Sequence, residues 1–340
     1  MWFETLTGFA EESPEQVRSS IELDGETVRS VVNGRRMTCG RLEILSVRNL
    51  RSRAKDLSLS KSDSEETAES KGGALAVREV VADVQDLHVD PRNEGALFQV
   101  ASQMNLLEMV GPSVTPEQGV GIYERDLTQG PACAIAAGAG TIYRNYFAKV
   151  EGEVGQAADR QINCLNEVGE KLGNETHDLW TVQNGYVLPS QEGLEAVDEQ
   201  LRDMSSNERG AVRDALRVGI QWDTEVTLTE SGHLVTQVYS SALPVSYGLP
   251  PKDLWESFAR IVLEGAYKAT LYAGAINAFR TGNQTIYLTL LGDGAFGNDP
   301  MWILESMDRA LTTCRDLPLD VVIVSYGQSN PDLRKIAGRY

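Results

Sequence analysis

The 340-residue sequence has little positive charge, cysteine or histidine. It carries 31 Lys and Arg against 49 Asp and Glu, a net charge of −18, so its long-range field repels nucleic acid phosphates. Its 4 cysteines and 3 histidines are scattered, without CxxC pairs or histidines close to a cysteine. We therefore predict no nucleic acid partner, no disulfide framework and no metal site. The cysteines are Cys39, Cys133, Cys164 and Cys314.

Long apolar runs are also missing. No stretch approaches the roughly 20 apolar residues that a membrane helix requires. The N-terminus, which starts Met1-Trp-Phe-Glu-Thr, lacks the basic and apolar regions of a secretion signal. We therefore expect a cytoplasmic protein with no membrane partner. A hydrophobic content of 41% with 24% charged residues is globular composition and provides for a sizeable core.

A change of composition divides the chain into sections. Residues 58–73 are small and polar, which predicts a flexible loop. In the section before it, residues 1–57, short apolar alternations flank Asn33-Gly34, a good hairpin turn, and predict a β-rich extension that packs on the main domain. Residues 74–340 form the predicted main domain.

The last part of the chain predicts a βαβ unit. Thr285 to Leu291 is a continuous apolar strand, Asp299 to Thr313 has helical spacing, and Asp320 to Tyr326 is another apolar strand. Strands that are apolar throughout are buried on both faces, so we predict an α/β fold in which helices cover both sides of a mixed, largely parallel sheet. Ligands of such folds bind beyond the carboxyl ends of the strands.

A glycine-rich turn, Gly292-Asp293-Gly294-Ala295-Phe296-Gly297-Asn298, lies at that position in the βαβ unit. Glycines let a backbone approach an anion closely and direct N–H groups at it, which indicates a diphosphate site. The alternative is an ordinary strand-to-helix turn. The turn lacks the Lys-Ser/Thr of a P-loop, and it comes too late in the chain for a standard dinucleotide fingerprint.

The turn resembles the second ligand loop of macrodomains, which wraps the diphosphate and distal ribose of ADP-ribose. Leu97 to Asn105 resembles the macrodomain strand that ends in an asparagine near that ribose, and residues 119–128 take the place of the first ligand loop. The resemblance implies a macrodomain-like three-layer α/β/α fold. It also implies that Asn105, Thr128, Gln129, the residues from Gly292 to Asn298, and Tyr326 bind ADP-ribose.

Three further stretches are similar to one atypical macrodomain family: 101–109, Tyr123 to Ala134 and Gly138 to Tyr146. Members of this family are arginine-specific ADP-ribosylhydrolases. The resemblance covers most of residues 75–330 and implies removal of ADP-ribose from arginine without a metal or other cofactor. The implied partners are ADP-ribose and ADP-ribosylated proteins, ubiquitin modified on arginine among them. The paired glutamates of poly(ADP-ribose) glycohydrolases do not follow Gln129, so cleavage of polymers is not expected.

Cleavage of an N-glycosidic bond calls for carboxyl groups that donate a proton, activate water and stabilise a cation. Asp223 and Glu225 lie two apart on a predicted strand, which directs both to one face and makes them the leading acid/base pair. The alternative is a solvated strand face. Asp126 in the first loop is a second candidate, with a helix N-cap as its alternative role.

Tyr123, Phe296 and Tyr326 are candidates for stacking on adenine or covering the ribose, with core packing as the alternative. The leading functional hypothesis is a hydrolase of mono-ADP-ribose on protein side chains, arginine first. The alternatives are a non-catalytic reader of ADP-ribosylated proteins and a hydrolase of a free ADP-ribose derivative.

Overall fold

The computed structural model describes residues 1–62 and 74–340. In these ranges the α-helices are α1 Trp2–Thr7, α2 Pro14–Ser20, α3 Val47–Ser62, α4 Val84–Val89, α5 Gln129–Ala136, α6 Gly138–Tyr146, α7 Asn166–Leu172, α8 Gln191–Asp203, α9 Ser206–Asp214, α10 Glu256–Thr281, α11 Pro300–Thr313 and α12 Pro331–Ala337. The strands are β1 Ile21–Asp24, β2 Thr27–Ser30, β3 Arg36–Thr38, β4 Arg41–Ser46, β5 Ala76–Val81, β6 Leu97–Ala101, β7 Lys149–Val150, β8 Glu153–Val154, β9 Trp180–Gln183, β10 Tyr186–Pro189, β11 Arg217–Glu225, β12 Leu234–Ser240, β13 Thr285–Leu288 and β14 Asp320–Ser325.

Within the described ranges, the central sheet has 7 strands in the order β4-β11-β12-β6-β13-β14-β5. The five strands from β12 to β5 run parallel, whereas β4 and β11 add an antiparallel edge. The inner strands are buried almost throughout, as their continuous apolar sequences predict. The predicted mixed, largely parallel sheet is confirmed.

Helices cover both faces of this sheet. On one face Gln99 of β6 and Thr236 of β12 donate hydrogen bonds to Thr270 and Asn277 of α10. On the other face Gln237 of β12 donates to the carbonyl of Cys133 in α5. Neighbouring residues of one strand therefore contact opposite helix layers, and the architecture is a three-layer α/β/α sandwich.

The N-terminal section contributes to the sheet itself. The predicted hairpin at Asn33-Gly34 connects β2 and β3, which form a small antiparallel sheet with β1. The following strand β4 pairs with β11 at the edge of the central sheet. The section before residue 58 thus supplies both a separate β element and an edge strand.

The loop predicted for residues 58–73 starts later than expected. Helix α3 continues through Ser62, so residues 58–62 are helical. The polar composition of these residues hid the extension, because the helix is held earlier in its length, where Leu50 and Ala54 pack into the core. Residues 63–73 of that prediction lie outside the described residues.

Helix α5 approaches the end of β6 closely at Gly130. A Cβ at this position would lie 2.0 Å from the carbonyl oxygen of Ala101 and 3.2 Å from Cγ of Glu108. The first atom belongs to the backbone of a central strand and cannot move aside. Glycine here allows the N-terminus of α5 to lie against the carboxyl end of the sheet.

We predict that Gly130→Ala lowers the free energy of unfolding by about 2 kcal/mol, because the added methyl overpacks this contact. The matched control is Gly210→Ala in α9, where the nearest atom to an added Cβ is the end of the Arg213 side chain at 3.5 Å. This control should gain about 0.5–1 kcal/mol from helix propensity. Urea denaturation measures both. Equal effects of the two substitutions would contradict the close contact at Gly130.

Candidate functional site

A cleft opens at the carboxyl ends of three parallel strands, where strand-end geometry predicts a ligand site. Its lining includes Ala101 at the end of β6, Ala242 beyond β12 and Thr289 beyond β13. One wall is the predicted glycine-rich turn from Gly292 to Phe296. The opposite wall contains Asp126, Thr128 and Gln129 at the start of α5. The structure thus brings the two predicted ligand loops together.

The three glycines of the turn have different local functions. All have positive φ: Gly292 84°, Gly294 68° and Gly297 68°. A Cβ would lie 2.5 Å from Ala242 at Gly292 and 1.8 Å from the Ser246 hydroxyl at Gly297, so these two glycines permit close packing on the segment after β12. At Gly294 nothing lies within 4 Å, and only the backbone conformation favours glycine.

Asn298 anchors the end of this turn. Its side-chain Nδ2 donates to the carbonyl of Leu243 at 2.8 Å, and its backbone N–H donates to the carbonyl of Gly292 at 3.1 Å. Asn298 is buried, and neither it nor Gly297 lines the cleft in the structure described. Both residues, predicted as ligand contacts, instead fix the shape of the turn.

Asp293 does not project its charge freely at the cleft. Its Oδ1 accepts the N–H of Gly294 at 2.9 Å and caps the short 3-10 turn Gly294–Phe296. The following N–H groups of this turn, at Ala295 and Phe296, have no preceding carbonyl within the 3-10 turn to accept them. They are the donors that this wall offers to an anion.

Helix α5 offers backbone donors from the other wall. Thr128 is its N-cap residue, and the N–H groups of Gln129 and Gly130 belong to the first turn, where a helix leaves them without an internal acceptor. Asp126 is half-buried, and its Oδ1 accepts the N–H of Thr128 at 2.9 Å. The carboxylate is therefore held beside the helix start while it remains part of the cleft lining.

The side chain of Gln129 forms hydrogen bonds with the backbone of β6. Its Oε1 accepts the N–H of Ala101 at 2.9 Å, and its Nε2 donates to the carbonyl of Gln99 at 2.8 Å. Strand β13 pairs with β6 only at Leu97 and Phe98. The Gln129 amide thus satisfies strand groups that β13 leaves open, and only its backbone is available for a ligand.

Glu108 lines the cleft although it is only 2% exposed. Both carboxyl oxygens are buried without a hydrogen-bond partner, and Nη2 of the buried Arg144 lies 3.8 Å from Oε1. Burial raises the pKa of Glu108 to about 8, against the opposing attraction of the Arg144 guanidinium. Burial therefore favours the protonated, neutral form of this carboxyl group.

Three aromatic rings form part of the cleft lining. Tyr186, Tyr247 and Phe296 all contribute to the lining, and their ring centroids lie 4.9–5.9 Å apart. The hydroxyl of Tyr186 donates to the carbonyl of Met109 at 2.6 Å, which fixes the ring. Such a cluster offers apolar faces on which a flat base can stack.

Three other predicted residues lie apart from the cleft lining. Asn105 is fully buried, where Nδ2 donates to Gln161 and Oδ1 accepts the N–H of Leu107. Tyr326 follows β14 and is 82% exposed. Tyr123 is fully buried, and its hydroxyl accepts the N–H of Glu108. It is therefore a core residue, the alternative that the sequence left open.

Asp223 and Glu225 do not share the predicted face. Asp223 has φ +54° and lies in a β-bulge between Gln221 and Thr224, which breaks the alternation on which that prediction depended. Its carboxylate pairs with Arg280, whereas Oε2 of Glu225 accepts the N–H of Thr38.

The location of this pair also differs from the expectation. Because β11 runs antiparallel to β12, Glu225 lies opposite Leu234, the first residue of β12. The cleft lies beyond the other end of β12. Asp223 and Glu225 therefore lie at the amino ends of the parallel strands, whereas Asp126 lies at their carboxyl ends. The spacing of the two residues in the sequence did not reveal the direction of β11.

Sequence reasoning missed Glu108, Tyr186 and Tyr247. A single carboxyl group within the apolar stretch Leu106-Leu107-Glu108-Met109-Val110 was a usable signal for Glu108, because an unpaired buried carboxyl is rare. The two tyrosines carried no comparable signal. They come from separate segments that only the fold brings together.

No grouping of three or more His, Cys, Asp or Glu suited to a metal occurs in residues 1–62 and 74–340. All four cysteines are buried and free. None of the helices in the same ranges is long and apolar enough to cross a membrane.

Comparisons with known proteins give structural neighbours alone. No family model and no curated protein matches the chain. Poly(ADP-ribose) glycohydrolase from Thermomonospora curvata matches with a TM-score of 0.42 and 11% identity over 96% of each chain, and its complex with the inhibitor ADP-HPD with a TM-score of 0.41. The enzyme from Deinococcus radiodurans in complex with ADP-ribose matches with a TM-score of 0.40 and 10% identity, over 88% of this chain and 92% of that one. At these values the function must be argued from the site itself.

We predict that Glu108→Gln makes the protein more stable than the wild type at pH 8 but not at pH 4. The pKa of Glu108 is about 8 in the folded protein and ordinarily 4.5, so the folded state holds a proton that the unfolded state releases between these values. The wild type therefore loses stability relative to Glu108→Gln as pH rises through this window, by about 1.4 kcal/mol per pH unit.

Urea denaturation of both proteins at several values between pH 4 and pH 9 measures this difference. A stability difference that stays constant across the window would show that Glu108 is ionised in the folded protein at neutral pH.

Proposed function

We propose that this chain binds ADP-ribose in the cleft and hydrolyses mono-ADP-ribose from protein side chains, with ADP-ribosyl-arginine as the preferred linkage. The observation that carries the proposal is one cleft with backbone N–H donors on two walls and carboxyl groups in its lining. Donors of this kind hold a diphosphate, and carboxyl groups perform glycosidic hydrolysis.

The diphosphate is assigned to the space between the two walls. The N-terminus of α5 provides the N–H groups of Gln129 and Gly130, and the turn provides those of Ala295 and Phe296. Local donors suffice for this although the chain as a whole is acidic. The aromatic cluster around Tyr247 provides stacking faces for adenine.

The charge of the cleft favours a cationic leaving group. Among the described residues of the lining, none is Lys or Arg, and Asp126 and Asp293 can carry negative charge, although Asp293 also accepts the N–H of Gly294. Electrostatic complementarity then favours a guanidinium over an acidic or neutral modified side chain. This supports arginine, the linkage that the sequence resemblance implies.

Asp126 is assigned the role of general base. Its carboxylate lines the cleft next to the start of α5, and the N–H of Thr128 fixes its orientation. A carboxylate in this position can accept a proton from water that attacks the anomeric carbon of the ribose. Asp223 and Glu225 have no part in this step, because they lie at the opposite edge of the sheet.

The rim of the cleft supports a protein-bound substrate. Leu127, between the lining residues Asp126 and Thr128, is 94% exposed, and Leu249, two residues after Tyr247, is fully exposed. Because both leucines lie next to lining residues in the sequence, we propose that they contact the protein that carries the modified side chain. A free ADP-ribose derivative would make no use of them.

We expect the purified protein to release ADP-ribose from arginine-modified proteins, arginine-modified ubiquitin included, and not from glutamate- or serine-modified ones. Asp126→Asn should lower turnover about 100-fold or more, since a general base typically contributes 10²–10⁴-fold. The amide oxygen can still accept the N–H of Thr128, so ADP-ribose binding measured by calorimetry should be retained.

The control variants are Asp223→Ala and Glu225→Ala, which should keep turnover within about threefold of the wild type because they lie away from the cleft. Tight binding with no release from any linkage would make the protein a reader. Loss of turnover in Asp223→Ala or Glu225→Ala would show that the catalytic residues lie at the amino ends of the parallel strands and not in the cleft.

We also expect the double variant Leu127→Glu/Leu249→Glu to lower kcat/KM about tenfold or more on an arginine-modified protein, because two charges would be placed in the contact. Hydrolysis of free ADP-ribosyl-arginine should change less than about twofold, since the small substrate does not reach the rim. Leu228→Glu, at an exposed leucine beyond the far end of β11, is the matched control. Equal losses on both substrates would contradict rim docking.

A further inference from the structure

Glu108 is buried in the lining of the cleft, yet the proposed function assigns it no step in the reaction. Its residue exposure is 2%, and neither Oε1 nor Oε2 has a hydrogen-bond partner. Among the described residues that line the cleft, it is the only one with buried side-chain polar atoms left unpartnered. Burial without a partner costs free energy, so such groups call for an explanation.

The surroundings of Glu108 hold it in place from several elements. Its Cγ lies in the space that a side chain at Gly130 of α5 would fill, and its backbone N–H donates to the hydroxyl of Tyr123. The segment around Glu108 is therefore fixed by packing and by its backbone, while the carboxyl oxygens are left unpaired.

The titratable and charged groups that face Glu108 come from four elements. They are Tyr123 of the 3-10 turn Gly121–Arg125, Cys133 of α5, Arg144 of α6 and Tyr239 of β12. Arg144 is the cation among them. Its Nε donates to the carbonyl of Leu106, and its guanidinium lies 3.4 Å over the ring of Tyr239.

This arrangement suits a group that starts neutral and becomes charged during a reaction. Before the reaction a protonated carboxyl avoids the cost of a buried anion. After proton loss the guanidinium of Arg144, 3.8 Å from Oε1, stabilises the carboxylate. Arg144 is fully buried with Nη1 unpaired, so this cation is not neutralised by another carboxylate.

We propose that Glu108 is the catalytic proton donor of the hydrolysis, protonating the nitrogen that leaves the ribose. This inference rests on the proposed function and assigns a second residue to the same cleft. The Glu108 carboxyl gives the proton, Arg144 acts through it as a positioning and stabilising cation, and Asp126 acts on water.

The step is balanced as follows for an arginine linkage. The bond between the ribose anomeric carbon and the guanidine nitrogen breaks, and its electron pair stays on that nitrogen. The substrate guanidinium already carries one positive charge, so bond cleavage alone would release a neutral guanidine. The nitrogen takes the proton of Glu108 as the bond breaks, so arginine leaves as a guanidinium and Glu108 becomes a carboxylate. Water adds to the anomeric cation and loses its proton to Asp126, and transfer of this proton through solvent restores Glu108.

The decisive test compares two leaving groups in Glu108→Gln. Guanidine is strongly basic and must be protonated, whereas nitrophenolate leaves readily without a proton. On ADP-ribosyl-arginine we expect kcat to fall about 100-fold or more. On a nitrophenyl ADP-ribose we expect kcat to stay within about threefold of the wild type, because that reaction needs no donor.

Two further measurements separate a catalytic role from a structural one. Wild-type turnover on ADP-ribosyl-arginine should decline as pH rises above about 8, the pKa of Glu108, and the residual turnover of Glu108→Gln should show no such decline. Calorimetry should show ADP-ribose binding retained in Glu108→Gln. Glu199→Gln, at an exposed carboxyl on α8, is the control and should leave kcat unchanged.

Glu108→Asp keeps the carboxyl and shortens its reach, so kcat on arginine should be intermediate between the wild type and Glu108→Gln. Equal losses of Glu108→Gln on both leaving groups, or loss of ADP-ribose binding, would overturn the assignment and make Glu108 structural. If the wild type releases ADP-ribose and Glu108→Gln has the same turnover, the assignment of Glu108 as proton donor is wrong, but the proposed function stands. A wild type that binds ADP-ribose but releases nothing from either substrate overturns both.

Discussion

The site depends on the hydrogen bonds between the Gln129 side chain and the end of β6. Strand β13 stops pairing with β6 at Phe98, which would leave the carbonyl of Gln99 and the N–H of Ala101 open on one side. The Gln129 amide accepts the N–H of Ala101 and donates to the carbonyl of Gln99, as the backbone of a neighbouring strand would. A side chain of the first turn of α5 thereby fixes the helix N-terminus at the carboxyl edge of the sheet.

Close packing then determines what the cleft contains. Glycine at position 130 leaves room for Glu108 to enter from a different loop, and Gly292 and Gly297 allow the opposite wall to lie on the segment after β12. Backbone donors and carboxyl groups are thus brought to one place by small residues at contacts where any side chain would collide.

The sequence was informative where the signal was local. The apolar strand Thr285–Leu288 and the glycine turn after it were predictable, because burial on both faces and positive φ leave local patterns. The helix N-cap, expected at Asp126 as the alternative to a catalytic role, is Thr128 in the structure. Asp223 and Glu225 were misplaced because the bulge and the direction of β11 depend on pairing with distant strands. Glu108 was missed because its burial is decided by α5, α6 and β12 together.

The central claim is that one cleft holds the diphosphate between the start of α5 and the glycine turn, with the reacting ribose at the carboxyl groups. A crystal structure of the protein with ADP-ribose tests this most directly. The account predicts phosphate oxygens within hydrogen-bond distance of the N–H groups of Gln129, Gly130, Ala295 or Phe296, and the anomeric carbon next to Asp126 and Glu108. ADP-ribose bound at another surface, or with its distal ribose turned away from both carboxyl groups, would contradict it.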